Sequence, residues 1–107
     1  MAKLAVWVEM EAKPGKEQEI ENFLKSAQAL AQKESQTLTW YALKLSPGRF
    51  GIFDTFADDA GRKAHLNGEI AKALFSKAGE LLAKEPKVHQ IDVLAAKGPG
   101  TAARAGA

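Results

Sequence analysis

The chain contains no cysteine, which removes disulfides, thiolate zinc sites, cysteine-ligated iron-sulfur clusters and cysteine nucleophiles from consideration. It has little of several other things as well. No long uncharged apolar run is present: the opening MAKLAVWVEMEA carries Glu9 and Glu11 within its apolar stretch, so it reads neither as a signal peptide nor as a membrane span, and a cytoplasmic location is expected. No excess of one charge exists either. Lys and Arg number 15 against 13 Asp and Glu, a formal net charge of +2, and the basic residues are scattered, which argues against a nucleic-acid or acidic-membrane partner. There are only two histidines, with no pair at metal-ligand spacing, and neither a phosphate-binding glycine loop nor a serine-histidine-acid pattern. No metal and no cofactor are therefore expected.

What is present is ordinary globular composition, 46% hydrophobic and 26% charged over 107 residues, enough for one core. From Lys3 to Ala12 apolar residues alternate, with Leu4, Val6, Val8 and Met10 on one side and Ala5 and Trp7 on the other, the spacing of a strand. Pro14 and Gly15 interrupt it. Ile20, Phe23, Leu24, Ala27, Leu30 and Ala31 then recur at three-and-four spacing, predicting a helix over 16–34 with Pro14 in its first turn. Thr37–Leu45 and Phe50–Ala57 are rich in β-branched and aromatic residues and flank Ser46-Pro47-Gly48, which predicts a hairpin. Asp58 and Asp59 suit the cap of a short helix over 60–66, punctuated by Asn67-Gly68. A further helix follows through Ile70, Leu74, Ala78 and Leu81, and after Pro86 a last strand is predicted over 87–96.

This order predicts an α+β, ferredoxin-like βαββαβ domain over 1–97, a four-stranded antiparallel sheet with its helices on one face, followed by a flexible tail over 98–107. Both sheet faces carry large apolar groups: Ala5 and Trp7 oppose Leu4, Val6 and Val8, and Phe53 opposes Phe50, Ile52 and Phe56. A sheet with one wet face alternates more cleanly, so a second copy of the chain is expected to cover the face away from the helices, giving a homodimer.

Chemistry concentrates in FGIFDTFADDAGRKAHL. Asp54 and Phe56, two apart, share a strand face, and His65 at the end of the following helix can fold back over it. An imidazole beside a carboxylate and an apolar cavity suits proton transfer with an aromatic substrate; a helix-end histidine bonded to backbone is the plainer alternative. By parity Trp40 falls on the helix side with Leu38 and Ala42, either as a cavity wall or as a core aromatic. Arg49 at the hairpin turn is either solvated or an anchor for an anionic substrate, and His89 is read as structural. The run GRFGIFDTF echoes an RNA-binding aromatic strand, but Ile52 and Thr55 replace aromatics, and Asp54, Glu9 and Glu11 place negative charge where a phosphate chain would lie.

The stretches VWVEMEAKPGKEQEIENFL, TLTWYALKLSPGRFGIFDTF and DDAGRKAHL resemble the antibiotic biosynthesis monooxygenase superfamily of small dimeric α+β barrels, with similarity over about 4–97. The Lys13–Lys16 entry to the first helix and the trio Asp54, Phe56 and His65 carry most of the likeness. The resemblance implies a homodimer with a pocket between sheet and helices, and a monooxygenase that uses O2 on a small aromatic substrate, quinol, phenol or anthrone-like, without metal or flavin. It points to His65, Asp54 and Phe56; together with the reading of the residues, His65 and Asp54 are expected to be catalytic and Phe56, Trp40 and Arg49 to form the substrate pocket. His65 matches the family's helix histidine, whereas Asp54 stands where a glutamate is usual, Phe56 where a tryptophan is usual, and Glu34-Ser35-Gln36 where glutamate-proline-glycine is common. A non-catalytic dimer that binds a small ligand or serves a stress role is the alternative. A haem-degrading enzyme ranks third, since neither the first-strand asparagine nor the third-strand tryptophan expected of one is present.

Overall fold

The computed structural model describes residues 2–98. The expected tail, apart from Gly98, lies outside the described residues. Strand β1 (Leu4–Glu11) leads through helix α1 (Glu17–Gln32) to the hairpin β2 (Thr37–Ser46) and β3 (Arg49–Phe56), and helices α2 (Asp59–Leu66) and α3 (Glu69–Leu81) precede β4 (Lys87–Asp92). The strands form one antiparallel sheet in the order β2-β3-β1-β4. This is the ferredoxin-like α+β plan expected from the sequence.

The alternation of β1 and β3 sets the layers. Val6 pairs with Asp54, Val8 with Ile52 and Met10 with Phe50, so these residues share one sheet face. Against it α1 buries Ile20 and Leu24, and α3 buries Leu74 and Leu81; with Phe50 and Phe56 these fill the space between sheet and helices. Burial of this apolar surface is the main favourable term for the fold. The hairpin turns at Pro47-Gly48, with Gly48 at φ 80°, a left-handed conformation in which glycine meets no Cβ penalty. Asp58 caps α2 by accepting a hydrogen bond from the Gly61 N–H at 2.9 Å.

Two boundaries differ from the sequence-based expectation. Pro14 lies in a turn rather than in the first turn of α1, because Gly15 adopts φ 85° and the helix begins only at Glu17. The last strand ends at Asp92 rather than at Ala96: β1 begins at Leu4, and the Val93 N–H bond to the Lys3 carbonyl at 2.8 Å closes the ladder.

The far face of the sheet is apolar. Tyr41 (52% exposed) and Leu43 (39%) of β2 stand there beside half-buried Trp7 and Phe53, with Ile91 of β4 at the other edge. Trp7 lies across β3 over Gly51, where any Cβ would collide with the indole. Glu9 meets His89 on this same face at 3.1 Å. Among the described residues no helix is long and apolar enough to cross a membrane.

Candidate functional site

Asp54 sits mid-strand on the helix-facing side of β3, between Val6 and Trp40, and is fully enclosed (0% exposed). The capped α2 carries the chain back across the sheet, so His65, 7% exposed, comes to rest over Asp54 with Nε2 2.8 Å from Oδ2. Neither Asp54 oxygen accepts a well-directed hydrogen bond from a described residue, so this approach is a Coulombic contact. Phe56 steadies the imidazole from below, ring centroids 5.3 Å apart at 41°. It does so as a wholly buried core residue and lines neither of the cavities described below.

The other ring nitrogen finds a partner that spacing did not single out. Glu34, just beyond the end of α1, places Oε1 2.6 Å from His65 Nδ1, and the Thr37 hydroxyl donates to the same oxygen at 2.7 Å. Close packing makes this possible. A Cβ on Gly61 would lie 3.1 Å from the Gln36 carbonyl, so the glycine lets α2 approach the loop that holds Glu34. The one available signal was Glu34 itself, which keeps the glutamate of the family's glutamate-proline-glycine pattern while the other two residues change.

Burial lifts the Asp54 carboxyl above the ordinary carboxylate range; the contact with His65 opposes this only in part, and the nearby charge of Glu34 adds to it. For His65 burial alone pulls the imidazolium down, yet Asp54 and then Glu34 together outweigh it and hold the histidine above its ordinary value. Both nitrogen-oxygen approaches are short, so the imidazole and its two carboxyl partners share two protons, and the cluster carries one net negative charge.

A cavity of about 340 Å³ opens beside His65, walled by Glu34, Leu30, Lys33, Thr37, Ala64 and Gly68 among others. It lies between the end of α1, the loop into β2 and the α2–α3 junction, because Phe50, Phe56 and their neighbours fill the centre of the sheet–helix layer, while the edge of that layer between α1 and β2 stays open as the resemblance implied. A second cavity, about 180 Å³, is lined by Gln28, Gln32, Thr39, Trp40 and again by Glu34 and Thr37. Trp40 is on the helix side as parity predicted, and its enclosed Nε1–H has no partner among the described residues. Leu38 falls at a register shift and is largely exposed, yet it lines the same smaller cavity as Trp40. Arg49 is not brought to the site. It begins β3, five residues and about 17 Å along the strand from Asp54, and lines a small separate hollow with Glu9, Glu11 and Lys84. Among the described residues no group of three or more His, Asp or Glu side chains is arranged to hold a metal ion.

No family model matches the chain, and no curated protein does. Solved structures do. NE2512 of Nitrosomonas europaea, a protein of unknown function, is 54% identical, aligns over 92% of this chain and 96% of its own, and superposes with a TM-score of 0.90. The chain belongs to the NE2512 family. Its fold is shared with structures named as antibiotic biosynthesis monooxygenases. A second Nitrosomonas europaea protein, named as a candidate antibiotic biosynthesis monooxygenase, is 14% identical over 91% of this chain and 95% of that one, TM-score 0.78. A structure named antibiotic biosynthesis monooxygenase is 17% identical over 86% and 99%, TM-score 0.73. At those identities the likeness is one of fold, so the chemistry of this NE2512-family protein has to be argued from its own site.

Proposed function

We propose that the protein is a cofactor-independent monooxygenase that oxygenates a small phenol, quinol or anthrone-like compound with O2, acting as a cytoplasmic homodimer. The observation that carries this is a buried imidazole, held between two carboxylates, in the wall of a cavity of about 340 Å³. Small-molecule sites span roughly 300–1,000 Å³, so this one suits one or two fused rings. The walls from Leu30, Ala64 and two glycines offer apolar contact, while Glu34 and His65 supply polarity at one side.

Such a site removes a proton from an acidic O–H or C–H and keeps the resulting anion away from bulk water. The electron-rich anion reduces O2 itself. A phenol with a free para position loses two hydrogens, one oxygen atom enters the ring as a carbonyl, and the other leaves as water, so no external reductant is required. The superfamily neighbours are named for monooxygenation, which agrees with this reading. Asp54 and His65 hold the protons, Phe56 fixes the imidazole plane, and Trp40 offers its unpaired N–H to a ligand oxygen in the adjoining cavity. Arg49 has no part in this scheme. The apolar far face of the sheet supports pairing with a second copy.

The test is oxygen uptake by metal-stripped protein with anthrone and 1-naphthol, each with a free position para to its oxygen. Uptake is expected, with His65→Ala slowing it by about 10²-fold or more, as for disruption of the proton-accepting cluster. No uptake with either compound, or an unchanged rate in His65→Ala, defeats the proposal.

A further inference from the structure

We propose that Glu34 is the residue that touches the substrate and takes its phenolic proton, with His65 and Asp54 acting behind it as positioning residues. The assignment deepens the oxygenase reading and rests on it for the class of substrate.

An imidazole has two nitrogens, and in His65 both are committed, Nδ1 to Glu34 and Nε2 to Asp54. Neither nitrogen is left free for a ligand in the cavity. Asp54 is fully enclosed and cannot meet a ligand. Glu34 differs on each count: its side chain is 20% exposed, and it lines both the larger and the smaller cavity. Its Oε1 is occupied by His65 and Thr37, while no described residue hydrogen-bonds Oε2. That oxygen points toward Gly68, where a Cβ would come within 3.2 Å of it, so the glycine leaves room on the cavity side.

The proton balance fits this placement. The phenol O–H bond breaks, its electron pair stays on the substrate oxygen, and the proton goes to Glu34 Oε2. The cluster of His65 and its two carboxyl partners starts with one net negative charge, and the arriving proton cancels it. The phenolate then faces a neutral cluster, with Lys33 in the same wall; Glu69 is the other charged residue lining the cavity. His65 and Thr37 hold Glu34 in one orientation by the two bonds to Oε1, and Asp54 holds His65.

The chromogenic probe 4-nitrophenol tests the assignment, because its phenolate absorbs separately from the phenol. Titrated with protein below the phenol's own midpoint, the bound fraction should be ionised about tenfold or more above free phenol, a shift of about one pKa unit. Glu34→Gln should still bind, as read by intrinsic fluorescence, and lose the phenolate signal; Glu34→Asp should recover part of it. His65→Gln should keep the signal and move its pH profile. Thermal melts establish that each variant folds, and Glu34→Asp, which retains the carboxylate, keeps the test decisive where Glu34→Gln does not. A phenolate signal lost in His65→Gln but intact in Glu34→Gln overturns the proposal, as does the absence of any signal in the wild type. Oxygen uptake with anthrone, run in parallel, separates the two claims. Ionisation without uptake keeps Glu34 as the base and defeats the oxygenase, whereas uptake unaffected by Glu34→Gln defeats the base alone.

Discussion

At the scale of single residues, His65 and Asp54 are both displaced upward in pKa, so the folded chain binds their protons more tightly than the unfolded chain does. Linkage then fixes a sign: the native state holds more protons, and stability declines as pH rises. For His65 the contribution is complete below its unfolded value of 6.5 and is lost as pH climbs through the higher folded value. The difference in melting temperature between wild type and His65→Gln should therefore shrink from pH 6.5 upward, each ~1 kcal/mol corresponding to about 4–8 °C for a domain of this size. A difference that widens with pH contradicts the upward displacement of His65. The partnership of Asp54 with His65 was legible in the sequence, since strand parity and one helix length place them together. Glu34 was not. Its approach depends on where α1 stops and on how near Gly61 lets α2 come to the following loop, and neither is encoded in local periodicity.

At the scale of elements, α2 is the short piece that carries His65 to the sheet, and it has few resources of its own. Eight residues barely exceed two turns, too short to be stable without a cap and tertiary contacts. Asp58 and Asp59 are adjacent carboxylates with different duties: Asp58 caps the Gly61 N–H, whereas Asp59 pairs with Lys63 and Arg62 at the surface. Asp58→Ala should cost about 0.5–2 kcal/mol in thermal unfolding. Asp59→Ala should cost far less than Asp58→Ala, as loss of exposed, salt-screened ion pairs does. Equal losses in the two variants contradict the capping assignment. The element order, the hairpin turn and this cap were all readable from punctuation and spacing. The position of the cavity was not, because whether the sheet–helix layer is hollow or filled depends on how Phe50, Phe56, Leu74 and Leu81 meet across elements that are distant in sequence.

At the scale of the whole molecule the sheet has two apolar faces and only one set of helices. Within the described chain Tyr41, Leu43, Trp7 and Phe53 present a contiguous surface on the face without helices. A stable interface needs about 1,000 Å² or more of total buried area, which the face of a four-stranded sheet can supply when it meets its own copy about a two-fold axis. The Glu9–His89 pair sits at the edge of that face, where a polar pair limits register without lying in the apolar centre. Leu43, 39% exposed and opposite Gly51 in the ladder, is the substitution of choice, because a charge there disturbs no described hydrogen bond and enters no core cluster. Leu43→Asp should weaken self-association by about 10²-fold or more in sedimentation equilibrium, as burial of an unpaired carboxylate at an interface demands, while far-UV circular dichroism stays that of the folded chain. Wild-type protein that sediments as a monomer at micromolar concentration, or a Leu43→Asp dimer of undiminished affinity, places the partner of this face elsewhere than in a second copy.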